Sequence, residues 1–173
     1  RHRPRQGDGV NRFFVNEVFR SLQGEGVRTG TVNTFVRFGK CNLACTVDTA
    51  GFDCDTEFAS GRMLSMEELL IEMGDPGWTI LTGGEPALQI DKEFVYRLHD
   101  EGWNVAIETN GTIELPGGID WTTVSPKTAE HTIRQPIANE VKYVRHHGQA
   151  IPQPTVKADH HLISPAWGPD GLD

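Results

Sequence analysis

A chain of 173 residues makes one domain of ordinary size, long enough to bury a real core and too short for two full domains. With 37% hydrophobic and 23% charged residues it is expected to fold, and its 19 glycines and 10 prolines place much of it in turns without making it collagen-like or disordered. A net charge of -8 argues against a nucleic-acid surface or an anionic-membrane surface, and no apolar run approaches the roughly 18 residues of a bilayer span.

The N-terminus lacks the apolar stretch of a secretory signal, so the expected location is cytoplasmic. Residues 1–12 carry four arginines and no hydrophobic periodicity, which predicts a loose N-terminal arm before one domain over 13–173. FFVNEVF and NTFVRFG are β-branched and aromatic runs around the Gly-rich SLQGEGVRTG, and read as two strands joined by a loop. SMEELLIEM carries a capping-box signature, Ser65 to Glu68, with apolar residues at helical spacing, so it predicts a helix ended by Gly74 and Pro76. Strand WTILTGGEP, helix DKEFVYRLHDEG and strands NVAIETNG, WTTVSPK, NEVKYV and HHLISP follow, with an exposed loop over 145–159. Apolar strands with polar or Gly-rich endings, joined by helices or loops, predict a parallel sheet whose C-terminal ends open on one face. Ligands would gather there.

Three cysteines, Cys41, Cys45 and Cys54, lie on one loop with Cys-x3-Cys-x8-Cys spacing. An odd, local set argues against a disulfide framework and for one metal centre. A structural zinc site prefers four ligands, with His99 or another of the seven histidines as a possible fourth, whereas a four-iron cluster held by three thiolates leaves one iron open. Unligated thiols are the remaining reading. In LTGGEP, Gly83 and Gly84 would let backbone amides approach a ligand, and Glu85 would accept from an ammonium group; the plain alternative is a strand-to-turn junction. ETNG repeats the pattern with Glu108, and Lys127 of SPK would pair with a carboxylate or a sugar hydroxyl unless it is simply solvated. LQGEG offers the mixed donors and acceptors of Gln23 and Glu25 for a polar heterocycle. Arg37, inside a strand, needs a partner, either a ligand carboxylate or an ordinary salt bridge.

Taken in order, VNEVFRSLQGEG, FVRFGKCNLAC, CDTEF, LTGGEPALQ, IETNGT, VSPK and NEVKYV resemble the 7-carboxy-7-deazaguanine synthase family of radical S-adenosylmethionine enzymes, over about residues 13–170. The resemblance implies a partial, open (β/α) barrel of about six parallel strands. It implies that Cys41, Cys45 and Cys54 hold a [4Fe-4S] cluster whose open iron chelates S-adenosylmethionine. It also implies radical ring contraction of 6-carboxy-5,6,7,8-tetrahydropterin to 7-carboxy-7-deazaguanine, with loss of ammonia. By matching position, Asp53, Asp55, Gly83, Gly84, Glu85, Glu108, Ser125 and Lys127 are the expected S-adenosylmethionine contacts. Leu22, Gln23, Gly24, Glu25, Arg37 and Thr82 are the expected pterin contacts, and Thr56 the expected Mg2+ ligand. Family members use a reducing partner such as flavodoxin and are commonly homodimers.

The chain departs from that pattern in three places. Eight residues separate its last two cysteines, where two are usual in the superfamily; Asp53 replaces the aromatic residue before the last cysteine; and the sequence stops at Asp173, ahead of the family's closing segment. A glycyl-radical-enzyme activase would share the cysteines and GGEP, and a catalytically silent metal-binding module is the reading from another class. LQGEG, Arg37 and CDT favour a small carboxylated substrate.

Overall fold

The computed structural model describes residues 11–50, 54, 59–168 and 171–172. The chain runs β1 (Arg12–Leu22), β2 (Val32–Phe38), the short α1 (Val47–Ala50), β3 (Arg62–Ser65) and α2 (Met66–Met73). It continues with β4 (Trp78–Gly83), α3 (Lys92–Asp100), β5 (Asn104–Thr109), β6 (Trp121–Val124), β7 (Ile137–Arg145) and β8 (Lys157–Pro165). A small hairpin of β9 (Trp167–Gly168) and β10 (Gly171–Leu172) stands apart from the main sheet. Most of the predicted arm lies outside the described residues, and Arg12 already belongs to β1.

Eight strands form one sheet in the order β3-β1-β2-β4-β5-β6-β7-β8. The six from β2 to β8 pair in parallel, as expected for a partial open barrel. The sequence reading did not anticipate that β1 is antiparallel to β2 or that the four-residue β3 caps the edge. The first follows from chain connectivity. A nine-residue loop with no helix cannot return the chain for a parallel pairing, so β1 and β2 close as a hairpin.

Helices α2 and α3 cover one face. The α2 capping box is present, with the Ser65 hydroxyl accepting from Glu68 N at 3.2 Å and Glu68 Oε2 accepting from Ser65 N at 2.7 Å. Leu69 and Met73 of α2, with Phe94, Val95 and Leu98 of α3, pack on Val36, Phe38, Leu81, Val105 and Ile107 of the sheet. Between β6 and β7 there is only a single 3-10 turn, Glu130–Thr132, and no helix lies between β7 and β8, so the barrel has fewer helices than strands.

A smaller core of Val124, Ala138, Val141, Tyr143 and Val156 supports that helix-poor end. Tyr143 donates to Glu130 Oε1 at 2.7 Å, and Thr155 N donates to Glu130 Oε2 at 2.9 Å, which fastens the predicted loop to β7. Burial, and then the neighbouring Glu130, push the phenol pKa upward. Because the folded value is raised, this stabilisation is complete below the ordinary phenol value of 10.0 and is lost as pH rises through the folded value. Tyr143→Phe is therefore expected to lower unfolding stability by about 1–3 kcal/mol at neutral pH. The gap to wild type should narrow only on the alkaline side of about pH 10, as followed by urea unfolding.

Candidate active site

Opposite the helices, the uncovered face is built in rows, because parallel register sets side chains of neighbouring strands beside one another. An apolar row runs from Phe19 through Phe35, Ile80 and Ala106 to Trp121, with the Phe19 and Phe35 rings stacked 5.0 Å apart. Two residues further toward the C-terminal ends lies a polar row. Its register pairs are Glu17 with Arg37, Arg37 with Thr82, Glu108 with Thr123, Thr123 with Glu140, and Glu140 with His160. Thr82 Oγ1 donates to Glu108 Oε2 at 2.8 Å and joins the two halves.

The loop over residues 23–31 crosses this face from β2 to β7. Gln23 Nε2 donates to Glu108 Oε1 at 2.8 Å, Val27 N donates to Glu140 Oε2 at 2.8 Å, and Glu25 ion-pairs with Lys142. The Arg28 guanidinium lies 3.6 Å from the Trp78 ring centroid. Gly26, at φ 75°, permits the crossing, since a Cβ there would overlap the Glu140 carboxylate. Gln23, Thr82 and Glu108 are thus directly bonded, with Glu25 and Arg37 on the same rim. Leu22, at the end of β1, is mostly exposed, and a Cβ at Gly24 would meet open space. Arg37 Nε stands 2.8 Å from Glu17 Oε1, but the approach is not aligned as a hydrogen bond, and the buried nitrogen is left without one.

Beyond the row, the strand ends knit the cysteine loop in place. Gly84 N donates to Phe38 O, and Glu85 N to Lys40 O, both at 2.9 Å. The Gly84 and Glu85 amides are therefore spent on β2 and the cysteine loop. Gly83 takes φ 114°, and a Cβ at Gly84 would overlap the Lys40 carbonyl oxygen and stand 2.5 Å from its carbon. Glu85 is fully buried. It accepts from Ala87 N at 3.0 Å, Thr109 Oγ1 at 2.8 Å and Asn110 N at 2.8 Å, so it braces β4 against β5 instead of facing an ammonium group. Burial raises its pKa against those three hydrogen bonds. Asn110 Nδ2 donates to Asn42 Oδ1 at 3.0 Å, and Asn42 Nδ2 to Thr112 Oγ1 at 2.8 Å, tying the cysteine loop to the end of β5.

Cys41, Cys45 and Cys54 form no disulfide. Leu43 N points at Cys41 Sγ (3.4 Å), and Cys54 N donates to Cys45 O at 3.3 Å. Burial raises the Cys41 and Cys45 thiol pKa values, nearby Cys54 adds to both, and Lys127 pulls Cys45 the other way. Cys41 and Cys45 are half-buried, and Cys54 is exposed. Lys127 Nζ donates to Ser125 Oγ at 2.9 Å on the same rim. Asp53, Asp55 and Thr56 lie outside the described residues. Among the described residues, no group of three or more His, Cys, Asp and Glu side chains, the three cysteines included, is drawn together closely enough to hold a metal ion. What suits a cluster with an open iron is the chemistry of the donor set, three thiols on one loop. Zinc completed by His99 is excluded by position: its Nε2 lies 2.9 Å from Gly118 O and 3.5 Å from Asp120 Oδ2, before β6 and hence at the other end of the sheet.

Glu140 and Lys142 were not singled out from the sequence, although both are buried and belong to the rim. The available signal was the pair of opposite charges two residues apart in NEVKYV, which a strand places on one face.

No protein-family model matches the chain. It is 44% identical over 156 residues to the 7-carboxy-7-deazaguanine synthase of Bacteroides thetaiotaomicron, covering 87% of this chain and 80% of that protein. The 7-carboxy-7-deazaguanine synthase of Caulobacter vibrioides is 35% identical over 185 residues, covering 91% and 84%. The crystal structure of QueE from Escherichia coli superposes with a TM-score of 0.59 at 29% identity, covering 76% of this chain and 70% of that one. None of these relatives supports a glycyl-radical activase or a silent module. No helix among the described residues is long and apolar enough to cross a membrane.

Proposed function

Because the chain belongs to the 7-carboxy-7-deazaguanine synthase family, we propose that it is a radical S-adenosylmethionine lyase converting 6-carboxy-5,6,7,8-tetrahydropterin to 7-carboxy-7-deazaguanine and ammonia. The observation that carries this reading is a common address: the three disulfide-free cysteines and the polar row meet at the C-terminal ends of the same parallel strands. Cys41, Cys45 and Cys54 would hold a [4Fe-4S] cluster. When bound, that centre supplies the one-electron reduction of S-adenosylmethionine from which hydrogen abstraction proceeds.

The remaining work belongs to side chains and backbone. Gly83 and Gly84 bring β4 against the cysteine loop, and Glu85 locks that junction from beneath. Ser125, Lys127 and Glu108 offer an acceptor, a cation and a carboxylate to the zwitterionic and ribose ends of S-adenosylmethionine, with Asp53 and Asp55 assigned to the same ligand. The incompletely bonded Arg37 guanidinium is a ready partner for the pterin carboxylate, in competition with Glu17. Gln23 and Glu25, with Leu22, Gly24 and Thr82, present acceptors and a short apolar edge to the ring. Thr56 is assigned to Mg2+ at the substrate carboxylate. A flavodoxin-like reductant, a homodimeric state and a cytoplasmic location complete the proposal.

Anaerobic reconstitution with iron and sulfide, followed by reductant, S-adenosylmethionine and the pterin, tests it. The expected product has the mass and ultraviolet spectrum of 7-carboxy-7-deazaguanine. Cleavage of S-adenosylmethionine without that product would reject the substrate assignment.

A further inference from the structure

The loop that carries Gln23 and Glu25 is held from the far side of the sheet. Lys142 on β7 is only 8% exposed, and its ammonium ion-pairs with Glu25 Oε2. Glu108 and Glu140 also face it: burial works against the charge, but Glu108, the hydrogen bond to Glu25, and Glu140 outweigh that cost and hold the ammonium ionised. The oxygens of Glu108 are engaged by Gln23 and Thr82, and those of Glu140 by Thr123 and Val27. Lys142 therefore sits where the loop, β5 and β7 converge.

Along the polar row Arg37 of β2 stands beside Glu17, and Glu108 and Glu140 stand on β5 and β7. We infer that Lys142 is a positioning residue: its ion pair seats Glu25 over the polar row, so that Gln23 and Glu25 together meet the donor edge of a 2-amino-4-oxopyrimidine ring. This rests on the functional reading above and adds a residue that touches none of the reacting atoms.

Equilibrium dialysis of 6-carboxypterin against the reconstituted holoprotein tests it. Lys142→Met should weaken binding about tenfold, the cost of releasing a charged hydrogen-bond partner. Lys142→Arg should stay within about threefold of wild type, and Lys142→Met added to Glu25→Gln should cost less than about twofold more, because the two residues act as a unit. In turnover, KM should rise while kcat changes less than about threefold, a split that general loss of structure would not give. Lys142→Gln serves the same comparison if the methionine variant does not fold. The inference is overturned if the charge-removing variant binds as wild type does, or if its penalty multiplies with that of Glu25→Gln. A wild-type protein that does not bind the pterin overturns the functional reading itself, a result distinct from either.

Discussion

Gly84→Ala is expected to destabilise the protein by about 2–4 kcal/mol and to strip most of the iron from the reconstituted enzyme. The methyl group would enter the volume of the Lys40 carbonyl, so β4 and the cysteine loop must separate. Separation breaks the Gly84 N to Phe38 O and Glu85 N to Lys40 O hydrogen bonds, each worth about 1 kcal/mol. It also moves Cys41, whose backbone nitrogen lies 3.1 Å from the same added carbon. Gly77→Ala is the control: a Cβ there meets nothing within 4 Å, and the change in stability should stay within about 0.5 kcal/mol. Denaturant unfolding and iron analysis of both variants read the contrast. Equal iron loading in the two would show that the paired glycines do not seat the cysteine loop.

Cys45→Ala should leave the fold nearly intact and abolish cluster assembly. The residue is half-buried on a loop that the sheet does not depend on, so the expected stability change is below about 1 kcal/mol. A cubane that already lacks a fourth protein ligand cannot spare a third, and bound iron should fall from about four per chain to below about one, with no detectable product. Circular dichroism checks the fold and iron analysis the assembly. Full loading of the variant would mean that another group serves in its place.

Much of this was legible in the sequence because it depends on local pattern. Each parallel strand ends in a polar or glycine-containing phrase, so LTGGEP, IETNG and VSPK mark one rim before any coordinates are known. The Ser65–Glu68 capping box fixes the start of α2 for the same reason: both partners lie within one turn. What escaped depends on contacts distant in sequence. The four residues of β3 become a strand only against β1, about fifty positions earlier. The glycine-rich phrase suggests that Glu85 faces a ligand, but its carboxylate is buried against Thr109 and Asn110 at the end of β5, partners about 25 positions later in the chain. Glu140 and Lys142 hid inside an apolar strand, because their partners Val27 and Glu25 belong to the loop that crosses the face. Arg37 was left between a ligand carboxylate and a salt bridge; the structure supplies an ion pair with Glu17 that still leaves its Nε without an aligned hydrogen bond.

The metal content of anaerobically purified and reconstituted wild-type protein, taken with its ultraviolet-visible spectrum, tests the central claim most directly. The account predicts about four iron and four sulfide per chain and a broad absorbance that bleaches on reduction. One equivalent of zinc, with no iron–sulfur absorbance, would contradict it.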